Sequence, residues 1–183
     1  MVEKNKSGQA ALSPDIYIYP GSFDPVTLGH MDIVRRALKI CKRLIIAVGY
    51  NSEKRTMFSV DERIELLKTA VGSEYNMRED PARIEIISFG GLLTDFAAAN
   101  GAGVIIKGLR SATDFEFEYQ MDFANKNLDG RLETVFVMAE ARYSRLSSSL
   151  VKEIANYGGR LEGLVPENIA DTIRLKVKEM RRE

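Results

Sequence analysis

Two short stretches of this chain gather residue types suited to holding phosphate. The first is Gly21-Ser22-Phe23-Asp24-Pro25-Val26-Thr27-Leu28-Gly29-His30. It follows an apolar run, Ile16 to Tyr19, and leads into residues with helical periodicity, the order of strand, turn and helix start. In that order the turn's N–H groups and the free amides of the first helical turn face the same anion. Pro20 and Pro25 fix φ on the two sides of the turn, and Gly21 lets a ligand approach the backbone. His30 is the single histidine of the sequence and falls at or near the first helical turn, where its ring can donate to a bound phosphate. The bland reading is an ordinary strand-to-helix turn with a surface histidine. The second stretch, Lys107-Gly108-Leu109-Arg110, sets two cations around a glycine directly after another apolar run, Val104 to Ile106.

The residues that are missing narrow the chemistry. No Ser-His-Asp set, Cys-His pair or Walker lysine motif can be assembled, so covalent catalysis is not indicated. What remains is positioning and charge stabilisation, the usual means of phosphoryl-type transfer. An acceptor that is a phosphate monoester is already an anionic nucleophile near neutral pH and needs no general base. Its attack on the α-phosphorus of a nucleoside triphosphate expels pyrophosphate, and the protein must offset the charge that builds on the α-phosphoryl oxygens.

Composition sets the frame. At 183 residues, with 45% hydrophobic and 28% charged residues, the chain reads as a soluble globular protein of one domain. Lys+Arg and Asp+Glu both number 26, so an anion site must be local, and neither a nucleic acid nor a membrane is indicated as a partner. The lone cysteine, Cys41, excludes an intrachain disulfide and a Cys-based zinc site, and fits a reducing, cytoplasmic setting. Cys41 also lies on the apolar stripe of the first helix, which makes it a small core residue. No apolar run approaches the roughly 20 residues that span a bilayer. Residues 1–14 read as a loose tail outside a domain of residues 15–183.

Five apolar segments read as strands: 15–20, Leu44 to Val48, Ile84 to Ile87, Val104 to Ile106, and Val135 to Met138. Helices alternate with them. Ser59-Val60-Asp61-Glu62 and Thr113-Asp114-Phe115-Glu116 are capping boxes, Ser147 to Ser149 is a helix start, and Pro166 opens a last basic helix. This alternation predicts an α/β, doubly wound, Rossmann-like sheet of five parallel strands, order 3-2-1-4-5, with helices on both faces. Ligands bind such sheets where the order reverses, beside the ends of the first and fourth strands. Lys107 to Arg110 is taken as a loop, and topology brings it to the Gly21–His30 turn.

The same residues resemble a family. Thr27-Leu28-Gly29-His30 is similar to the HxGH signature of the nucleotidyltransferase α/β-phosphodiesterase superfamily, with Thr in place of the first His. That variant, Lys107-Gly108-Leu109-Arg110 and Ser147 to Glu153 together resemble the phosphopantetheine adenylyltransferases, whose similarity runs from about Ile16 to about Ile169. The resemblance implies AMP transfer from ATP to 4′-phosphopantetheine, giving dephospho-coenzyme A and pyrophosphate, with Mg²⁺ held through phosphates and not by protein side chains. It implies ATP contacts from Ser22, Phe23, His30, Gly108, Leu109, Arg110, Glu118 and Tyr143-Ser144-Arg145-Leu146-Ser147-Ser148-Ser149. It implies acceptor contacts from Ser22, Lys54, Leu93 and Lys107, catalytic roles for His30, Lys54 and Arg110, and His30 as transition-state stabiliser. It also implies a homohexamer and coenzyme A as an inhibitor.

Two departures stand out: Lys107 replaces a common Arg, a point charge in place of a fork, and Phe117 replaces a common Tyr. Plain structural roles stand beside these assignments. Lys54 and Arg55 also read as a solvated charge pair, Arg110 as a neutraliser of Asp114, Ser147 to Ser149 as a cap, and Glu118 as an exposed helix residue. The aromatics Phe115, Phe117, Tyr119 and Phe123 cover more than one helix face, as core or a subunit contact would require. The alternatives to this activity are another transferase of the superfamily, such as a cytidylyltransferase with a different phosphate acceptor, and a non-catalytic nucleotide-binding module.

Overall fold

The computed structural model describes residues 11–50, 55–75, 80 and 82–181. Strands β1 (Ser13–Gly21), β2 (Arg43–Gly49), β3 (Ile84–Phe89), β4 (Ala102–Leu109) and β5 (Glu133–Met138) pair in parallel, in the order β3-β2-β1-β4-β5. Between and after them come α1 (Leu28–Ala37), α2 (Val60–Glu74), α3 (Leu93–Ala99), α4 (Ala112–Leu128), α5 (Ser148–Asn156) and α6 (Glu167–Met180), with a 3₁₀ turn at Ala141–Tyr143. The predicted fold class, strand order and switch point are those observed.

Alternation along the central strands divides the core between the two faces of the sheet. Ile18 pairs with Ile45 and Ile105, and all three point to the smaller core with Ala97, Ala102 and Leu132. Tyr19, Ile46 and Ile106 point the other way, onto the larger core that α1, α2, α5 and α6 close. Cys41 belongs to that larger core, where burial pushes its thiol pKa up. The Ser59–Glu62 capping box forms as predicted: Glu62 N–H donates to Ser59 Oγ at 3.2 Å and Ser59 N–H to Glu62 Oε2 at 2.7 Å.

Three local expectations are corrected. First, β1 begins at Ser13, inside the stretch read as a loose tail. Ser13 N–H donates to Gly101 O at 2.8 Å, and Leu12 packs on the smaller core. Ala102 of β4 is the sheet neighbour that carries the strand back to Ser13. Second, Lys107 to Leu109 is strand, not loop. These residues pair with Phe136, Val137 and Met138 of β5, and the buried Leu109 anchors the end. Third, the cap of α4 is Ser111, whose Oγ accepts from Asp114 N–H at 3.1 Å, because the strand runs straight to the helix and leaves Thr113 inside it. On α4, Phe115, Phe117, Tyr119 and Phe123 are exposed, so within this chain they are not core.

Candidate active site

The β1–α1 connection is built around a reciprocal cap. Thr27 Oγ1 accepts from His30 N–H at 3.3 Å, and His30 Nδ1 accepts from Thr27 N–H at 3.0 Å. A backbone N–H only donates, so Nδ1 carries a lone pair and the ring proton sits on Nε2. Burial, reinforced by the Arg110 guanidinium, lowers the imidazole pKa to about 4, which keeps the ring neutral above that pH. Thr27, the residue that departs from the HxGH signature, therefore fixes the histidine's tautomer: its Oγ1 also lies 3.0 Å from Nδ1. Under the imidazole the Phe23 ring packs edge-on at 5.1 Å, and Tyr19 packs edge-on against Phe23 at 5.3 Å. Burial holds the Tyr19 phenol protonated far above its ordinary range.

At the end of β4, an alanine Cβ at Gly108 would lie 2.7 Å from Ile33 Cγ1, so a bare glycine is what lets α1 close against the strand here. Arg110 is gripped by Asp114: Nε donates to Oδ2 at 3.0 Å and Nη2 to Oδ1 at 3.3 Å. Its Nη1 donates to Leu146 O at 3.0 Å, which ties β4 to the segment before α5. Lys107 Nζ lies 3.0 Å from Glu118 Oε2.

The third side is the start of α5. Ser147 Oγ caps it by accepting from Leu150 N–H at 3.1 Å, and Ser148 Oγ donates to Pro25 O at 2.8 Å. The amino ends of α1 and α5 thus adjoin one space. Each points the positive end of a helix dipole at it, although in the first turn of α1 the Leu28 and His30 amides already donate to Leu164 O at 2.9 Å and Thr27 Oγ1 at 3.3 Å.

That space is a cavity of about 250 Å³ lined by Tyr19, Pro20, Gly21, Phe23, Thr27, Gly29, His30, Ile33, Lys107, Gly108, Arg110, Glu118, Ala139, Tyr143, Leu146 and Ser147 to Ser149. The imidazole and both cations of the second stretch share it, as the topology requires. Ser144 and Arg145 line a shallower neighbouring groove with Arg110, Ser111 and Asp114. Leu109 is buried, so its contribution is confined to backbone. Ser22 is exposed and outside the cavity lining. Leu93 packs against the smaller core on α3 and is not among the lining residues. Lys54 lies outside the described residues.

Several residues that hold this arrangement escaped sequence reasoning. Asp24 is buried, and its carboxylate accepts from Met57 N–H at 3.0 Å, Phe58 N–H at 2.9 Å and Lys152 Nζ at 2.8 Å. It joins three segments that are far apart in the chain. Arg63, also buried, donates to Ser22 O at 2.7 Å and Gly49 O at 3.0 Å, clasping the ends of β1 and β2. Asp32 accepts from Glu140 N–H at 3.2 Å and pairs with Arg35, which fixes the turn after β5. The one signal for Asp24 was its place inside the Gly-rich turn; Arg63 and Asp32 sit on helices where charge alone looks like solvated surface.

A doubly wound sheet with a neutral histidine donor, two cations and two helix amino ends at its switch point defines a nucleotidyltransferase type of α/β protein. Residues 18–154 match the cytidylyltransferase-like family. A solved structure of a putative nicotinate-nucleotide adenylyltransferase from Vibrio parahaemolyticus superposes with a TM-score of 0.59, covering 90% of this chain and 91% of that one; at 12% identity it attests the fold. Phosphopantetheine adenylyltransferase of Clostridium botulinum strain Langeland is 47% identical over 164 residues, 90% of this chain and 96% of the relative. The homonymous protein of strain Eklund 17B is 49% identical over 160 residues, 87% and 96% of the two chains. The chain belongs to the cytidylyltransferase-like nucleotidyltransferases and, within them, to the phosphopantetheine adenylyltransferase family.

Proposed function

We propose that this chain transfers AMP from ATP to 4′-phosphopantetheine, yielding dephospho-coenzyme A and pyrophosphate in the biosynthesis of coenzyme A. The observation that carries the reading is the convergence of His30 with Lys107 and Arg110 on one cavity at the switch point. The neutral Nε2–H of His30 donates to the α-phosphoryl group as negative charge builds on it. Arg110, with the N–H groups at the start of α5 beside Ser147 to Ser149, takes the triphosphate. Lys107, with Lys54, takes the acceptor phosphate, which attacks in line without a covalent intermediate. Ser22 and Leu93 border the acceptor's approach, and Glu118 faces the nucleotide.

Mg²⁺ accompanies the triphosphate in this reading and supplies charge neutralisation when bound. The ion would be bound mostly through phosphate oxygens and water. The exposed aromatic face of α4 supports assembly of identical subunits, taken as a hexamer. Coenzyme A, which shares parts of both product halves, would compete for the cavity. The buried, single Cys41 fits a cytoplasmic setting. Among the described residues, no helix is long and apolar enough to cross a membrane.

The test is pyrophosphate release from purified protein with ATP and 4′-phosphopantetheine, run beside CTP with the same acceptor. Release with ATP is expected. A folded sample that releases none overturns the reading, and preference for CTP reassigns the nucleotide.

A further inference from the structure

Each described cation at the end of β4 is met by a carboxylate of α4. Asp114 and Glu118 are four residues apart on one face of that helix; Asp114 grips Arg110 and Glu118 meets Lys107. The two pairs differ in kind. Arg110 is bound by a two-pronged fork plus the Leu146 carbonyl, so its position is set. Lys107 Nζ and Glu118 Oε2 approach to 3.0 Å with side chains about one-fifth exposed, yet the buried Oε2 makes no hydrogen bond of good geometry. The contact is a charge contact inside a cavity, close and poorly aligned.

We propose that Glu118 is a selectivity residue: a tethered counter-ion that occupies Lys107 in the empty cavity and must be displaced by any incoming phosphate. This rests on the reading of the cavity as a phosphate seat. A free inorganic anion pays its full association entropy to replace a carboxylate that is already in place. Having done so, it leaves Glu118 as a like charge beside it. A larger ligand spreads its cost over His30, Arg110 and the two helix amino ends. If it also carries hydroxyl or amino donors near Glu118, it gives the displaced carboxylate new partners. The pair therefore discriminates for ligands that combine phosphate with hydrogen-bond donors, and against small anions such as inorganic phosphate.

The test is calorimetric titration of inorganic phosphate into wild type, Glu118→Gln, Lys107→Met and the double variant, with thermal melts alongside. Glu118→Gln should tighten phosphate binding by about tenfold at low salt. In the Lys107→Met background the same change should gain less than about threefold, since the counter-ion then has no lysine to release. Unchanged or weaker binding by Glu118→Gln, or an equal gain without Lys107, overturns the proposal. Should Glu118→Gln melt well below wild type, Glu118→Ala is titrated with the same expectation. Turnover by wild type is measured separately: its absence would overturn the adenylyl-transfer reading and leave the titration result standing on its own.

Discussion

Replacing His30 separates two jobs that the structure gives to one ring. Nδ1 closes the cap of α1 by accepting from Thr27 N–H, and Nε2 is left to donate into the cavity. Asparagine places its Oδ1 where Nδ1 stands, and so keeps the cap while removing the donor. His30→Asn should therefore lower kcat about 10²- to 10³-fold, the usual loss for one donor to a developing oxyanion. ATP binding should weaken much less, because the bond tightens in the transition state. His30→Ala should lose the same turnover and also about 1 kcal/mol of stability from the opened cap. The assays are steady-state pyrophosphate release, nucleotide binding by calorimetry, and urea denaturation. The pH dependence gives a second, independent reading. The folded pKa of about 4 lies below the unfolded value near 6.5, so the unfolded chain binds the proton first as pH falls. Stability should decline between pH 6.5 and pH 4, by at most about 3 kcal/mol from this residue, and His30→Asn should flatten that slope. Turnover by wild type should show no inflection near pH 6.5 from the imidazole. An Asn variant that keeps a tenth or more of wild-type turnover, or one that loses turnover and ATP affinity equally, would refute the role given to Nε2.

Three further outcomes are expected. Asp24→Ala leaves two buried amides and the Lys152 ammonium without their shared acceptor, and should cost about 3 kcal/mol or more in urea unfolding; a loss below 1 kcal/mol would show the brace to be dispensable. Gly108→Ala drives a methyl group into Ile33 and should reduce kcat/KM at least tenfold. Ile33→Ala in the same chain should restore part of that loss, and no restoration would mean that the clash is not the cause. Phe117→Lys with Phe123→Lys charges the exposed aromatic face and should shift sedimentation toward smaller species with little change in single-chain secondary structure; an unchanged sedimentation profile would remove α4 from the subunit contact.

The order of elements and the meeting of the Gly21–His30 turn with the Lys107–Arg110 stretch were legible in the sequence, because apolar periodicity and the right-handed crossover leave few topologies. So were the Ser59 and Ser147 caps, written in local spacing; Cys41 is buried as expected, but past the end of α1 at Ala37 and not on its apolar stripe. What the linear chain could not disclose is pairing at a distance. Whether Lys107 ends a loop or a strand depends on β5 lying beside it, 29 residues on by the Lys107–Phe136 pairing. Asp24 reads as a turn residue until Met57, Phe58 and Lys152 arrive around it. Arg110 pairs with Asp114 and lines the cavity at once, so its role as a counter-ion does not take it out of the site. Local propensity specifies each segment, but a charge takes its role from the partner that tertiary packing brings to it, and that partner is not encoded in spacing.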